Sequence, residues 1–370
     1  MPVDIYTRKV QSSSATELYI SAAPKDCAAT QGEISELFTG IREILSSEQA
    51  HILQERIFTV DGALGIVSKA RKLAYGPIDD GVAPSFLIGT EARCGAISGV
   101  QVHAVTGSNR PEAIRIDGKA CGRIVRTPGR SYVTLSAISG GESGNRVEQA
   151  RKMLEKAELA LKGLGSDFMC VPRTWMWLGD ILSWYGEFNG VRNKFFAERG
   201  LIGKGSRQLM PASTGIGLTL AGGGGCGMDL TAVLEPAGSI ELLAAIGRQQ
   251  CAFDYGSAFS RASRATSPAG VTVFVSGTAS IDTTGATTHI GDAKGQIETT
   301  IANVGAVLKD MNCSQTDVVQ AIAYCRTPAV EKIFEKFRRQ IDWPWVTAIC
   351  DICRDDLLFE IEATAMPQAR

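Results

Sequence analysis

The chain has 370 residues, of which 44% are hydrophobic and 21% charged, and its formal net charge is -1. This balance is typical of globular proteins and offers no basic run for a nucleic acid. No apolar stretch approaches the roughly 20 residues that span a bilayer, and the N-terminus lacks the regions of a signal peptide. We therefore expect a cytoplasmic protein of two domains, or one large domain, that binds neither nucleic acid nor membrane.

The first half of the chain predicts strands followed by helices. Residues 1–30 are polar and favour irregular structure, and apolar spacing predicts a helix over residues 34–50. Residues 57–136 are short β-type runs separated by Gly and Pro, which favours a sheet. A helix over residues 145–163 follows, with Asn145 as its cap.

The chain then predicts a strand over residues 169–171 and a second helix containing Trp184 and Phe196. The segment 212–227 contains a run of four glycines, which lets backbone approach a ligand closely. The residues after it read as a strand, and no Lys-Ser or Lys-Thr pair follows the glycines, so a phosphate-binding Walker loop is disfavoured. We interpret this segment as a flexible loop or a loop at the edge of a pocket.

The last third of the chain is a compact, regularly patterned unit. It predicts strands over 272–281, 318–324, 346–352 and 357–365, a helix over 292–309, and a helix that Thr327 caps and Pro328 begins. This order is typical of an α+β unit with helices packed on one face of a sheet.

The cysteines give little support for a metal site. Ten of them are scattered along the chain, as expected of reduced cytosolic thiols. Cys350 and Cys353 form one C-x-x-C pair without a second pair, and the chain has only three histidines. Zinc needs four ligands, or three and a water. With no dinucleotide fingerprint either, the sequence predicts neither a metal nor another cofactor.

The closing run 357–365 carries two acids, Glu360 and Glu362, on the same face of a strand. An acid among Leu, Phe and Ile tends to keep its proton near neutral pH because burial disfavours the charged form. Such a group suits acid catalysis in a dry pocket. The alternative is an edge strand with both acids in water.

Short motifs in residues 252–366 resemble the Rid (YjgF) family of small trimeric proteins. They include Tyr255-Gly256, Phe259-Ser260-Arg261, Phe274-Val275-Ser276-Gly277 and Glu360-Ile361-Glu362-Ala363. The resemblance implies that Glu360 acts on a catalytic water in imine hydrolysis. Rid deaminases also hold the substrate carboxylate with an Arg, and this chain has Thr347 at the position we align with it.

A longer region, residues 165–366, resembles the chorismatases, which carry a Rid-like C-terminal half behind an extra N-terminal domain. The shared motifs are Arg173-Thr174-Trp175, the run 210–217, Tyr324 with Arg326, and the run 354–358 leading into Glu360. The resemblance implies a two-part α+β chain: a mixed α/β domain over 1–250 and a Rid-like, chorismate-mutase-like domain over 251–370. It also implies a monomer or weak oligomer, because the N-terminal half fills the interface of the Rid trimer.

Chorismatases cleave the enolpyruvyl ether of chorismate and release pyruvate, so the resemblance implies a small carboxylate substrate and Glu360 as the acid that protonates the ether methylene. A guanidinium grips a carboxylate in a bidentate manner. The candidate substrate-binding residues are Arg173, Arg199, Arg326, Tyr324 and Gly215. The alternative for each arginine is a surface ion pair.

Two small residues divide this family by product. Members with Ala at both positions give a dihydroxy acid by hydrolysis, whereas members with Gly and Cys give 3-hydroxybenzoate, and this chain has Gly277 and Cys353. Each also has a plain structural reading, a strand bulge for Gly277 and a small buried side chain for Cys353. Two further functions stay open: an enzyme on this scaffold acting on an imine, enamine or cyclising intermediate, and a non-catalytic Rid-like binding protein.

Overall fold

The structure is a computed structural model that describes residues 3–25, 31–92, 95–107, 110–203 and 209–367. Within these ranges the chain forms three six-stranded sheets. We call the three stretches that build them unit 1, unit 2 and unit 3.

Unit 1 consists of β1 (Val3–Gln11), β2 (Thr16–Pro24), α1 (Gln31–Ser47), β3 (His51–Thr59), α2 (Leu64–Tyr75), β4 (Ser85–Ile88) and β5 (Ile97–Thr106). Unit 2 consists of β6 (Glu112–Ile116), β7 (Lys119–Thr127), β8 (Arg130–Ser139), α3 (Arg146–Gly163), β9 (Arg173–Leu178), α4 (Tyr185–Glu198), β10 (Ala212–Ile216), β11 (Thr219–Leu220) and β12 (Cys226–Glu235). Unit 3 consists of β13 (Glu241–Leu243), β14 (Ala262–Thr266), β15 (Val271–Ala279), α5 (Ala293–Asp310), β16 (Val318–Cys325), α6 (Pro328–Arg338), β17 (Trp345–Ile349) and β18 (Phe359–Ala365).

The three units share one topology. The strand orders are β1-β2-β5-β3-β4, β6-β7-β8-β12-β9-β10 and β13-β14-β15-β18-β16-β17, and β11 leaves unit 2 to pair with β4 at the edge of the first sheet. In each unit a helix connects two parallel strands, β3 and β4, β9 and β10, or β16 and β17. The last long strand is then inserted antiparallel in the middle of the sheet. The region before residue 251 therefore contains two copies of the arrangement that the C-terminal unit shows once.

The helices cover the outer face of each sheet, and the inner faces meet at the centre of the molecule. Each unit has its own core between sheet and helices. A further core is shared by all three and includes Phe58 of unit 1, Trp177 of unit 2 and Tyr324 of unit 3. Polar contacts also join the units: the Ser213 backbone N–H donates to the Ser276 hydroxyl at 2.9 Å across the junction of units 2 and 3.

The predicted fold class is confirmed, and the capped helices are where the sequence predicts them. The Asn145 side chain accepts a hydrogen bond from the Glu148 backbone N–H at the start of α3. Thr327 caps α6 in the same way, with Pro328 as the first residue of that helix. Such caps satisfy backbone donors that a helix leaves unpaired.

Four predicted segments differ from the structure. Residues 3–24 are the hairpin β1–β2 rather than irregular, because the polar side chains of β1 lie on an edge strand that water partly reaches. The region 57–136 includes the helix α2, which the β-type reading missed. Residues 168–170 form a single turn held by the Asp167 side chain, and the strand begins only at Arg173. The segment 212–227 is not all loop, since it contains β10 and β11.

Candidate active site

A cavity of about 170 Å³ lies between units 2 and 3. Unit 2 contributes α4 and β10, and unit 3 contributes β15, β18 and the loops before β14 and after β17. Its lining residues are Tyr185, Asn189, Ser213, Gly215, Tyr255, Ser257, Phe259, Arg261, Gly277, Ala279, Ile281, Cys353, Arg354, Leu357 and Glu360. The sequence-predicted residues Glu360, Gly277, Cys353 and Gly215 therefore line one cavity.

Glu360 is the buried acid of this cavity, with only 4% of its surface exposed. Burial of its carboxyl group, helped by the negative charge of Glu362, raises the pKa of Glu360 to about 8, although Arg173, Arg261 and Arg354 act in the opposite direction. At neutral pH most of this group therefore keeps its proton. The alternative of two acids in water does not hold, because β18 lies between β15 and β16 and both acids are buried.

Glu362 points to the same side as Glu360 but belongs to an ion-pair network. One of its oxygens accepts a hydrogen bond from the Arg173 guanidinium at 2.9 Å and the other accepts from the Trp175 indole N–H at 2.7 Å. Arg173 also donates to the Thr214 hydroxyl at 2.6 Å. The guanidinium of Arg56 lies 3.6 Å from the centroid of the Trp175 ring. Glu362 is thus fully engaged, which leaves Glu360 as the acid that reaches the cavity.

Gly277 and Cys353 both flank Glu360. The Gly277 backbone N–H donates to the Thr214 hydroxyl at 3.0 Å. A Cβ atom added at Gly277 would overlap Oε1 of Glu360. The carboxyl group of Glu360 can therefore occupy this position only because residue 277 has no side chain. Burial raises the pKa of the Cys353 thiol to about 12. Cys353 is therefore a neutral, small wall residue rather than a thiolate nucleophile.

Gly215 lies on β10 against the ring of Tyr185, where an added Cβ would lie 3.4 Å from Cε2 of the tyrosine. The glycine keeps this part of the cavity open. Burial raises the pKa of Tyr185 to about 12, so its hydroxyl is protonated at neutral pH.

Two arginines in the cavity wall were not among the predicted binding residues. Arg261 is 2% exposed and donates to the Tyr255 hydroxyl and to the Gln250 carbonyl oxygen. Arg354 donates to the Gly285 carbonyl oxygen at 2.7 Å, and its guanidinium lies 5.2 Å from the centroid of the Tyr255 ring. In the described part of the chain, neither guanidinium is paired with an acidic side chain. Both occur in motifs that carry the family resemblance, so that resemblance was the available signal.

The four other predicted binding residues do not line the cavity. Arg173 is 1% exposed and pairs with Glu362 behind it. Tyr324 is fully buried in the core that the units share. Arg326 contacts Asp355 and Asp351 in the loop after β17.

Arg199 is the fourth of these, and it lies on the helical side of unit 2. Its guanidinium forms a bidentate pair with the carboxylate of Glu158 on α3, at 2.6 and 2.7 Å, and lies 3.5 Å from the centroid of the Phe195 ring. For Arg199 the structure thus shows an ion pair, which is the alternative to a substrate-binding role.

The structure also bears on membrane and metal sites. Among the described residues, no helix is long and apolar enough to cross a membrane. In the same residues, no group of three or more His, Cys, Asp or Glu side chains is arranged to hold a metal ion.

Comparison with known proteins supports the two-part resemblance. Residues 254–367 match the family model described as Endoribonuclease L-PSP. A chorismatase crystal structure is similar over 98% of this chain and 99% of its own, with a TM-score of 0.62 at 20% identity. No curated protein sequence matches the chain.

Smaller solved structures match only part of the chain. The YjgF gene product of E. coli covers 26% of this chain and 81% of its own length, at 20% identity and a TM-score of 0.22. Yeast Mmf1 covers 35% of this chain and 99% of its own length, at 15% identity and a TM-score of 0.29. The chain thus shares its fold with a chorismatase over 98% of its length, and its C-terminal residues 254–367 match the Endoribonuclease L-PSP family model.

Proposed function

We propose that the protein is an enzyme that cleaves the enolpyruvyl ether of chorismate, releasing pyruvate and 3-hydroxybenzoate, with Glu360 as the proton donor. One observation carries the proposal: a carboxyl group that keeps its proton at neutral pH lines a cavity beside two arginines that have no acidic partner among the described residues. The shared fold with a chorismatase supports the same reading.

The charges of the cavity suit a substrate with two carboxylates. Arg261 and Arg354 bring two positive charges, and Glu360, when protonated, brings none. A guanidinium binds a carboxylate strongly where water is excluded. The wall also contains the apolar residues Phe259, Ile281 and Leu357. Chorismate offers groups for both kinds of lining, because it has two carboxylates and an apolar ring.

The proposed reaction begins with proton transfer from Glu360 to the methylene carbon of the enol ether, which gives an oxocarbenium ion. The bond between the ring and the ether oxygen then breaks, and its electrons form the carbonyl group of pyruvate. The hydroxyl oxygen of ring C4 attacks C3, the ring carbon that the ether oxygen leaves, and its proton returns to Glu360, which gives an epoxide. The bond between C4 and this oxygen then breaks, and the hydrogen on C3 moves as a proton to the oxygen, so that the ring becomes aromatic as 3-hydroxybenzoate. The two products together contain all the atoms of chorismate, so no water is consumed.

Pyruvate release from chorismate tests the proposal directly. The wild-type protein should release pyruvate, and Glu360→Gln should lower the rate by about a hundredfold or more, because the amide has no proton of suitable acidity. The Tm of this variant should not fall, since a neutral amide is easily accommodated where a carboxyl group is already protonated. The matched control is Glu298→Gln, an exposed acid on α5 that pairs with Lys294.

Two results would contradict this proposal. If the wild-type protein releases no pyruvate above background, the proposed reaction is wrong and the remaining candidates are another substrate on this scaffold or a binding role. If Glu360→Gln retains turnover close to that of Glu298→Gln, Glu360 is not the proton donor.

A further inference from the structure

One buried cation next to the cavity has no role in the reaction described above. Arg192 on α4 is 1% exposed. One of its terminal nitrogens donates to the Asn189 side-chain oxygen at 2.6 Å, and its Nε has no hydrogen-bond partner among the described residues. Besides burial, the groups that act most on its charge are Tyr185, whose hydroxyl oxygen also accepts a hydrogen bond from it, then Tyr255 and Cys353. Burial raises the pKa of all three, so they are neutral at neutral pH.

A buried charge without a counterion is costly. Removing an ion from water costs several kcal/mol unless an opposite charge or a full set of hydrogen bonds replaces the water. Three other buried arginines away from the cavity wall follow this rule: Arg173 pairs with Glu362, Arg56 with Asp229, and Arg71 with Glu55. Arg192 instead packs against aromatic rings, 5.4 Å from the centroid of Phe188 and 5.7 Å from that of Phe259. The folded protein thus carries an uncompensated positive charge here.

The position of Arg192 relative to the cavity indicates a role in ligand binding. Tyr185, Asn189 and Arg192 are spaced by four and three residues and so share one face of α4. The first two line the cavity, and Arg192 lies behind them. Because the Asn189 oxygen accepts the hydrogen bond from Arg192, the amide nitrogen of Asn189 is left as a donor for other groups.

We propose that Arg192 is a positioning residue for a negatively charged group of the ligand, which binds at the Asn189 end of the cavity. Arg192 orients the side-chain amide of Asn189 so that the amide nitrogen can donate to the ligand. The charge of Arg192 is balanced only when the carboxylate of the ligand binds. The identity of that ligand rests on the proposed function, but the requirement for an anion does not.

Two variants and a control test this role. Arg192→Met removes the charge, Asn189→Ala removes the donor, and Lys194→Met removes an exposed positive charge from the same helix. The probes are chorismate and the unreactive benzene-1,3-dicarboxylate, each followed by the rise in Tm on binding. Both test variants should weaken binding about tenfold or more, whereas the Lys194 variant should bind like the wild-type protein.

Two further readouts distinguish positioning from a merely structural role. The Tm of the unliganded Arg192→Met protein should rise, because an uncompensated buried charge is removed. In pyruvate release the same variant should raise KM about tenfold with little change in kcat, and Arg192→Lys should lie between it and the wild-type protein. A fall in the unliganded Tm with unchanged binding would show that Arg192 only supports the fold.

The remaining outcomes separate this inference from the proposed function. If the wild-type protein binds benzene-1,3-dicarboxylate in a manner that depends on Arg192 but does not turn over chorismate, the inference stands and the proposed function is wrong. If pyruvate is released with the same KM in wild-type and Arg192→Met proteins, the inference is wrong and the proposed function stands. If neither carboxylate stabilises the wild-type protein, there is no anion site and the inference is wrong.

Discussion

At the scale of single residues, the state of Glu360 depends on a balance of neighbours. Burial and Glu362 favour the protonated carboxyl group, and three arginines favour the carboxylate. The sequence could predict the burial, because Glu360 lies in an apolar strand. The pattern of the strand could not predict that Arg261 and Arg354 lie near Glu360. Both arginines belong to other segments of the chain, whose paths depend on the whole fold.

The raised pKa of Glu360 predicts the pH dependence of turnover. A general acid must carry its proton, so kcat/KM should be constant at lower pH and fall about tenfold per unit as pH rises above about 8. Measuring pyruvate release between about pH 5.5 and 9.5 tests this. A rate that rises through this range would indicate a base rather than an acid.

Gly277 and Cys353 belong to the same scale, because both line the cavity together with Glu360. In Gly277→Ala the new Cβ would overlap Oε1 of Glu360, so the carboxyl group must move. We expect Gly277→Ala with Cys353→Ala to shift the product from 3-hydroxybenzoate towards the dihydroxy acid, with slower turnover, as measured by chromatography.

The matched control for this pair is Gly305→Ala on α5, where an added Cβ would meet no atom within 4 Å. It should leave both rate and product unchanged. If the double variant still gives only 3-hydroxybenzoate, these two positions do not determine the product.

At the scale of elements, the closing strand β18 shows which structural features its sequence pattern can predict and which it cannot. The spacing of Glu360 and Glu362 predicts that they share a face, and the structure confirms it. The pattern does not show that Glu362 is held by Arg173 and Trp175 of β9, in another sheet. Helices with caps, such as α3, α5 and α6, were predicted well because their signals are local. Strand β1 was missed because edge strands tolerate polar residues.

The link between the two acids predicts the effect of Glu362→Gln. This change removes the negative charge that raises the pKa of Glu360 and leaves the positive charge of Arg173 unbalanced, and both effects lower that pKa. The alkaline fall in kcat/KM should therefore move to lower pH. The variant should also lose about 3–5 kcal/mol of stability, because breaking a buried ion pair leaves a charge unpaired.

The control for this change is Glu241→Gln, which breaks the more exposed pair between Glu241 and Arg264. An exposed pair contributes at most about 1 kcal/mol, so both stability and pH profile should stay close to wild type. An unchanged pH profile in Glu362→Gln would show that the two acids are not coupled.

At the scale of the whole molecule, three copies of one topology surround a shared core, yet among the described residues only unit 3 carries an acid at the position of Glu360. The registers of the central strands reveal the equivalent positions: Phe58 lies opposite Gly99 in unit 1, Trp177 opposite Gly227 in unit 2, and Tyr324 opposite Glu360 in unit 3. Two glycines thus take the place of the acid. The sequence could not show this equivalence, because one aromatic residue per unit is all that the three positions share, which is too little to align the units.

The repeated topology therefore predicts one ligand site per chain rather than three. A Cβ at Gly227 would overlap the side chain of Leu220, and one at Gly99 would lie 2.9 Å from Cγ1 of Val346, so neither position has room for a carboxyl-bearing side chain. Titration calorimetry with benzene-1,3-dicarboxylate should give one site per 39.4-kDa chain. Light scattering on the same sample should give the mass of a monomer or weak oligomer, because the three units already pack against one another around a shared core within one chain. A stoichiometry near three would mean that the other two junctions also bind anions, and that the glycines do not close them.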